Sequence, residues 1–154
     1  MQGDGAAALH ERRGEYLLST DAALVQPEAV HAYLSRSYWA AGIPLEVVRR
    51  SIAGSLCFGI YRHGAQVGFA RIISDRATLA YLADVYVLEE HRGHGLGVWL
   101  VDFIMRHPDL QGLRRWMLAT QDAHGLYQKF GWTAVTTPER WMQRHFPDVY
   151  KQQA

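Results

Sequence analysis

Between Val85 and Gly97 the chain reads Val-Tyr-Val-Leu-Glu-Glu-His-Arg-Gly-His-Gly-Leu-Gly: a strand pattern ends, glycines follow, and a long helix pattern begins. Glycines permit positive φ and let ligand atoms approach the backbone closely. The first N–H groups of a helix lack internal partners, and the macrodipole places partial positive charge on them. Gly93, His94, Gly95, Leu96 and Gly97 therefore offer an anion site suited to a pyrophosphate, and Arg92 could add charge-assisted hydrogen bonds there. The stretch is not a Walker loop, because no Gly-Lys-Ser/Thr follows. Nor is it a dinucleotide fingerprint, whose spacing differs and whose sheet is doubly wound. A glycine-rich turn without a ligand remains a reading of this segment taken alone.

Other residue types narrow the chemistry. Asp84 is a carboxylate in an otherwise apolar run and needs a partner. Cys57, the one cysteine, lies in an apparent buried strand and reads as core rather than nucleophile. His91 and His94 lack a third ligand nearby, so no metal is expected. No Gly-x-Ser-x-Gly elbow is present, which disfavours a hydrolase.

Elements must position these residues. The charged, Gly/Ala-rich stretch from residue 1 to 13 is expected to be a flexible arm, with a single domain over residues 14–150. Glu15–Ser19 reads as a strand, Pro27 as a first helical residue, and Leu45–Ile52 as a second helix. Ser55–Tyr61, Gln66–Ser74 and Leu79–Leu88 read as an antiparallel meander punctuated by His63-Gly64 and Asp75-Arg76. Strict alternation in the third strand puts Tyr81, Ala83, Val85 and Val87 on one face, and Leu82, Asp84 and Tyr86 on the other. Leu96, Trp99, Leu100, Phe103 and Ile104 form an amphipathic helix stopped by Pro108. Trp116–Ala119 then returns parallel to Leu79–Leu88. A short helix, Ala123–Phe130, ends at Gly131, and Trp132–Val135 and Arg140–Phe146 are expected as closing strands, the second of them also readable as a helical turn. The fold class is mixed α/β: a mostly antiparallel sheet of six to seven strands with helices on both faces.

Two hallmarks in order carry a resemblance. Arg92-Gly-His-Gly-Leu-Gly97 resembles the Gln/Arg-x-x-Gly-x-Gly/Ala signature of the GNAT family of N-acetyltransferases, in place after the fourth strand. Gly125-Leu-Tyr-Gln-Lys-Phe-Gly-Trp132 is similar to that family's second hallmark, and the resemblance spans roughly Glu15 to Phe146. Ser37-Tyr-Trp-Ala-Ala-Gly-Ile-Pro44 and Val67-Gly-Phe-Ala-Arg71 resemble a bacterial subgroup. The resemblance implies acetyl-CoA bound in a V-shaped cleft, its pantetheine arm along Val85 and Val87 and its pyrophosphate on the backbone of Arg92 to Gly97. It implies direct attack by the amine on the thioester. Tyr127 is the expected acid, since a phenol with a reference pKa of about 10 stays protonated where a thiol near 8.5 is leaving. Asp84 is the expected catalytic carboxylate or amine ligand, with a structural hydrogen-bond network as its other reading. Glu89, Glu90, Asp122 and His124 are further groups near the cleft mouths, and a water chain often serves as base in such enzymes. Tyr33, Tyr38 and Trp39 are expected to line the acceptor pocket, with Arg71 facing a substrate carboxylate.

Composition sets the remaining bounds. The 154 residues are 49% hydrophobic, enough for one core, and the net charge of +1 gives no reason to expect nucleic acid or an anionic membrane. No apolar run is long enough to span a bilayer, and a cytoplasmic location is expected. The leading expectation is acetylation of a small-molecule amine or amino acid. Alternatives are a protein lysine or N-terminal acetyltransferase, and a silent acyl-CoA-binding module. A homodimer accords with the resemblance, though no interface is legible.

Overall fold

A computed structural model describes residues 7–152. Six strands form one sheet in the order β1 (His10–Arg13), β2 (Tyr16–Ser19), β3 (Leu56–Arg62), β4 (Ala65–Ser74), β5 (Leu79–Val87) and β6 (Arg115–Met117). Every neighbouring pair is antiparallel except β5 and β6, which run parallel. The crossover between those two is α3 (Leu96–Met105), as a parallel return requires. Helices α1 (Pro27–Leu34) and α2 (Leu45–Ala53) cover the opposite face, and α4 (His124–Gln128) follows β6. Among the described residues no helix is long and apolar enough to cross a membrane.

Two apolar clusters hold the layers. On the α3 side, Leu96, Trp99, Leu100, Phe103 and Ile104 bury the expected helix stripe against Phe58, Ile60, Ala70, Ile72 and Leu82. On the other side, Val30, Leu34 and Val48 pack over Cys57, Phe69 and Tyr86. Burial pushes the Cys57 thiol up to about 12, so it stays protonated and serves as core.

Within the stretch expected to be an arm, residues 10–13 form a strand. Residues 1–6 lie outside the described region, but His10–Arg13 pairs with β2 through the turn at Gly14, whose φ is 57°. Glu11 fixes this charged edge strand by accepting from the buried Trp99 Nε1 and from Arg106. Replacing Glu11 with Ala should leave that indole N–H unpaired and lower unfolding free energy by about 1–3 kcal/mol, measured by urea titration. An unchanged midpoint would mean that the strand contributes nothing to the fold.

The two closing strands do not form. Residues 132–135 and 141–146 carry no regular structure, and Pro138–Arg140 is a single 3₁₀ turn. Trp132 is anchored side-on, its ring tilted against Trp116 and Tyr127 and its Nε1 donating to Met105 Sδ, so packing rather than a ladder holds the chain there. Met142 is 97% exposed.

Strand β5 also departs from simple alternation. Phe69 pairs with Tyr86 and Arg71 with Ala83, so a two-residue step on β4 meets a three-residue step on β5. The extra residue is a β-bulge, and Asp84 within it has φ 57°. The bulge switches faces: Leu82 joins the α3 cluster with Val85 and Val87, whereas Tyr86 joins the α1–α2 cluster. Leu82 and Tyr86, expected on one face, therefore lie on opposite ones.

Candidate active site

The parallel ladder is short. Strands β5 and β6 pair only from Leu79/Arg115 to Tyr81/Met117, so from Leu82 onward β5 presents an edge that β6 does not cover. The sequence places its expected cleft at this opening. Its floor is the bulged part of β5, and its far end is the glycine turn.

The turn has the geometry of an anion cradle. Gly93 and Gly95 have φ values of 86° and 74°, and Gly95 is the N-cap of α3. Positive φ here suits glycine. Among the described residues the N–H groups of residues 93 to 98 meet no acceptor, while Trp99 N–H already donates to Gly95 O at 3.1 Å. A β-carbon at Gly93 or Gly95 would touch nothing within 4 Å, so the space above the turn is open. His94, Leu96 and Gly97 contribute backbone to this cradle.

Arg92 lies differently from the expectation of a side chain on phosphate. Its Nε donates to Val87 O at 3.0 Å and its Nη2 to the Tyr33 hydroxyl at 3.0 Å, while its own N–H donates to Glu89 O. The guanidinium thus braces the base of the turn. Val87 O is taken up by this contact, so Val87 offers the cleft one main-chain acceptor fewer, while Arg92 leaves Val85 untouched.

Tyr33 is also displaced from its expected place. Its ring stacks on Tyr86 at 4.1 Å with Arg36 over its other face, which keeps it out of the acceptor cavity. Glu89 is gripped by both terminal nitrogens of Arg36 at 3.1 and 3.3 Å, and those hydrogen bonds pull its carboxyl down to about 2. A carboxylate so acidic is a poor proton acceptor.

Tyr38, Trp39, Arg71, Asp84, Val85 and Tyr127 do come together, lining one cavity of about 720 Å³ beside the open edge of β5. Asp84 is held from two sides: Arg71 Nε donates to one oxygen at 2.6 Å and Trp39 Nε1 to the other at 2.8 Å. Arg71 Nη1 donates to Ser55 Oγ at 3.1 Å. With side chains 17% and 9% exposed, Arg71 and Asp84 form a nearly buried ion pair that ties β4 to the bulge, while the Trp39 bond ties the α1–α2 loop to it. Asp84→Ala would strand Arg71 and place an alanine in left-handed backbone. We expect a loss of about 3 kcal/mol by urea titration, and a smaller loss for Asp84→Asn, which tolerates that backbone. Equal stability of Asp84→Ala and wild type would mean that the pair is energetically idle.

Tyr127, on α4, is 6% exposed and lines both this cavity and the neighbouring groove. Burial is the main cause of its pKa being pushed up to about 12, with smaller contributions from Tyr38 and Asp122. It therefore keeps its proton through the whole neutral range. Gln143 and His145, from the irregular C-terminal segment, complete the cavity wall. Sequence reasoning passed over both, and no local pattern marks them. His124 lines a neighbouring groove behind β6 instead.

Comparison with known proteins agrees with this fold. Residues 53–134 match the model of the acetyltransferase (GNAT) domain. The Gibberella zeae protein FG08082, which carries the name of an acetyltransferase, is 39% identical over 140 residues, covering 76% of this chain and 78% of that protein. A crystal structure of a GNAT-family protein from Xanthomonas campestris pv. campestris superposes with a TM-score of 0.86 at 52% identity, covering 88% of this chain and 96% of that one. A Clostridium acetobutylicum protein crystallised with acetyl-CoA shares the fold at a TM-score of 0.61 and 14% identity, covering 84% and 94%. By fold, by hallmark residues and by relatives, this chain belongs to the GNAT family of acetyltransferases.

Proposed function

We propose that the protein moves an acetyl group from acetyl-CoA to the amine of a small molecule by direct attack, with Tyr127 as the proton donor. The observation that carries this reading is the succession of three features along β5 and the turn after it. They are the cradle of unpaired N–H groups at residues 93–98, the β5 edge that β6 leaves uncovered, and the cavity holding Tyr127. The fit is of the right kind: open backbone donors suit a diphosphate, and an unpaired strand edge suits an amide-bearing chain.

Acetyl-CoA supplies the acetyl thioester, whose C–S bond breaks as the C–N bond forms, so the sulfur gains one proton and the nitrogen loses one. Tyr127 holds the proton that the sulfur takes. Raised to about 12, its phenol stays neutral beside a leaving thiol. Asp84, engaged by Arg71 and Trp39, shapes the wall where the amine arrives rather than receiving its proton. His145 is the lining imidazole with no partner among the described residues, which leaves it able to accept a proton directly or through water. Cys57 sits in the α1–α2 cluster below Arg71, does not line the cavity and stays protonated, so it takes no part, in keeping with direct attack.

Thiol release from acetyl-CoA in the presence of a mixed amine pool tests the reading. Amine-dependent release above the rate with acetyl-CoA alone is expected. Binding of acetyl-CoA without release against any amine would favour a silent acyl-CoA module.

A further inference from the structure

The walls of the acceptor cavity have a chemical character of their own. Tyr38, Trp39 and Tyr81 are 57%, 41% and 38% exposed, among the more open large apolar side chains of the chain, and all three line this one cavity. Two are fixed by their polar ends. Trp39 Nε1 donates to Asp84, and Tyr38 Oη accepts from Gln121 N–H at 3.0 Å. The Tyr38 and Trp39 rings meet edge to face, 5.1 Å apart. Their faces are thus held in place with little rotamer freedom left to lose.

The fixed charges in the wall are spent on each other. Arg71 and Asp84 pair at 2.6 Å, and the remaining polar lining groups include the neutral Thr120, Gln121 and Gln143. Apart from the His145 imidazole, whose place is to take the amine's own proton, the wall holds no unshared charge. A carboxylate, a phosphate or a second ammonium on the acceptor would therefore shed water without gaining a counter-charge of its own. A flat apolar body would instead cover exposed ring faces, through burial of apolar surface and aromatic contact.

We propose that the acceptor is a primary amine carried on an aromatic body, such as an arylalkylamine, with its ring held among Tyr38, Trp39 and Tyr81 and its nitrogen directed toward Tyr127. This deepens the proposed function and rests on it. It replaces the expectation that Arg71 receives a substrate carboxylate, since Asp84 already occupies that guanidinium.

The test compares probes on the full chain with acetyl-CoA, following thiol release. 2-Phenylethylamine and tryptamine stand for the aromatic class, spermidine for polycations, glutamate for carboxylates and glucosamine 6-phosphate for phosphates. The aromatic amines should give kcat/KM at least about tenfold above every other probe. Tyr81→Ala, at a ring with no hydrogen bond in the wall, should raise their KM about tenfold, leaving the KM for acetyl-CoA unchanged, and Tyr81→Phe should restore it. Preference for a charged probe, equal turnover of all probes, or an unchanged KM in Tyr81→Ala would each overturn the proposal. Should no probe be acetylated, calorimetry on the CoA-loaded protein decides: binding of the aromatic amines alone upholds the pocket's selectivity, and binding of none refutes it. Failure of acetyl-CoA itself to bind is a separate result and would sink the acetyltransferase mechanism instead.

Discussion

Replacing Gly95 with aspartate is expected to weaken acetyl-CoA binding at least 100-fold, about 2.7 kcal/mol, while leaving the protein folded. The backbone at this position has φ 74°, which aspartate tolerates better than most residues, and a β-carbon there meets no atom of the protein. The new side chain therefore has room to stand above the turn. Its carboxylate would accept from the same N–H groups, residues 93 to 98, that have no other partner, and would repel a diphosphate. Calorimetric titration measures the affinity, and thermal melting checks the fold. Wild-type affinity in a folded Gly95→Asp protein would remove the turn from the cofactor site.

Tyr127→Phe is expected to lower kcat by roughly 10²–10⁴, the usual share of general acid catalysis, with acetyl-CoA affinity retained. The substitution keeps the ring that packs against Trp132 and deletes only the hydroxyl. Because the folded pKa is pushed up to about 12, the acid form persists well above neutrality. The linkage follows the same sign. A phenol whose folded pKa exceeds its unfolded value of about 10 favours folding below that pH, and its contribution is lost as pH rises from 10 toward 12. No alkaline fall in kcat from this group is therefore expected between pH 7 and 9, and Tyr127→Phe should be slow throughout that range. Equal kcat in both proteins would take the hydroxyl out of the mechanism.

Much of this site is legible in the sequence because its parts obey local rules. The spacing of Leu96, Trp99, Leu100, Phe103 and Ile104 places α3, and all five are buried as that pattern requires. Glycines flanked by a strand and this helix place the cradle, and Gly131 terminates the α4 segment with φ 87°. The parallel return of β6 follows from the crossover helix, and the cleft follows from its short pairing.

Other features are long-range and leave no local trace. The bulge at Asp84 inserts one residue into β5 without a glycine or proline to mark it, so a period-two reading assigns Leu82 and Tyr86 to one face. The direction of Arg92 is set by Val87 O and by Tyr33, which lies 59 positions away. Strand β1 is charged because it is an edge, and its order comes from Glu11 meeting Trp99, a pairing 88 residues apart. The C-terminal segment shows the converse. Its aromatic, strand-like composition finds no ladder, and Gln143 and His145 reach the cavity from irregular chain.

The central claim is that the backbone at the start of α3 receives the coenzyme's diphosphate. Amide resonances of the backbone-labelled protein, followed while acetyl-CoA is added, test it most directly. The N–H signals of residues 93 to 98 should shift strongly and gain protection from solvent exchange as the ligand saturates. Saturation by acetyl-CoA with those signals unmoved would contradict the account.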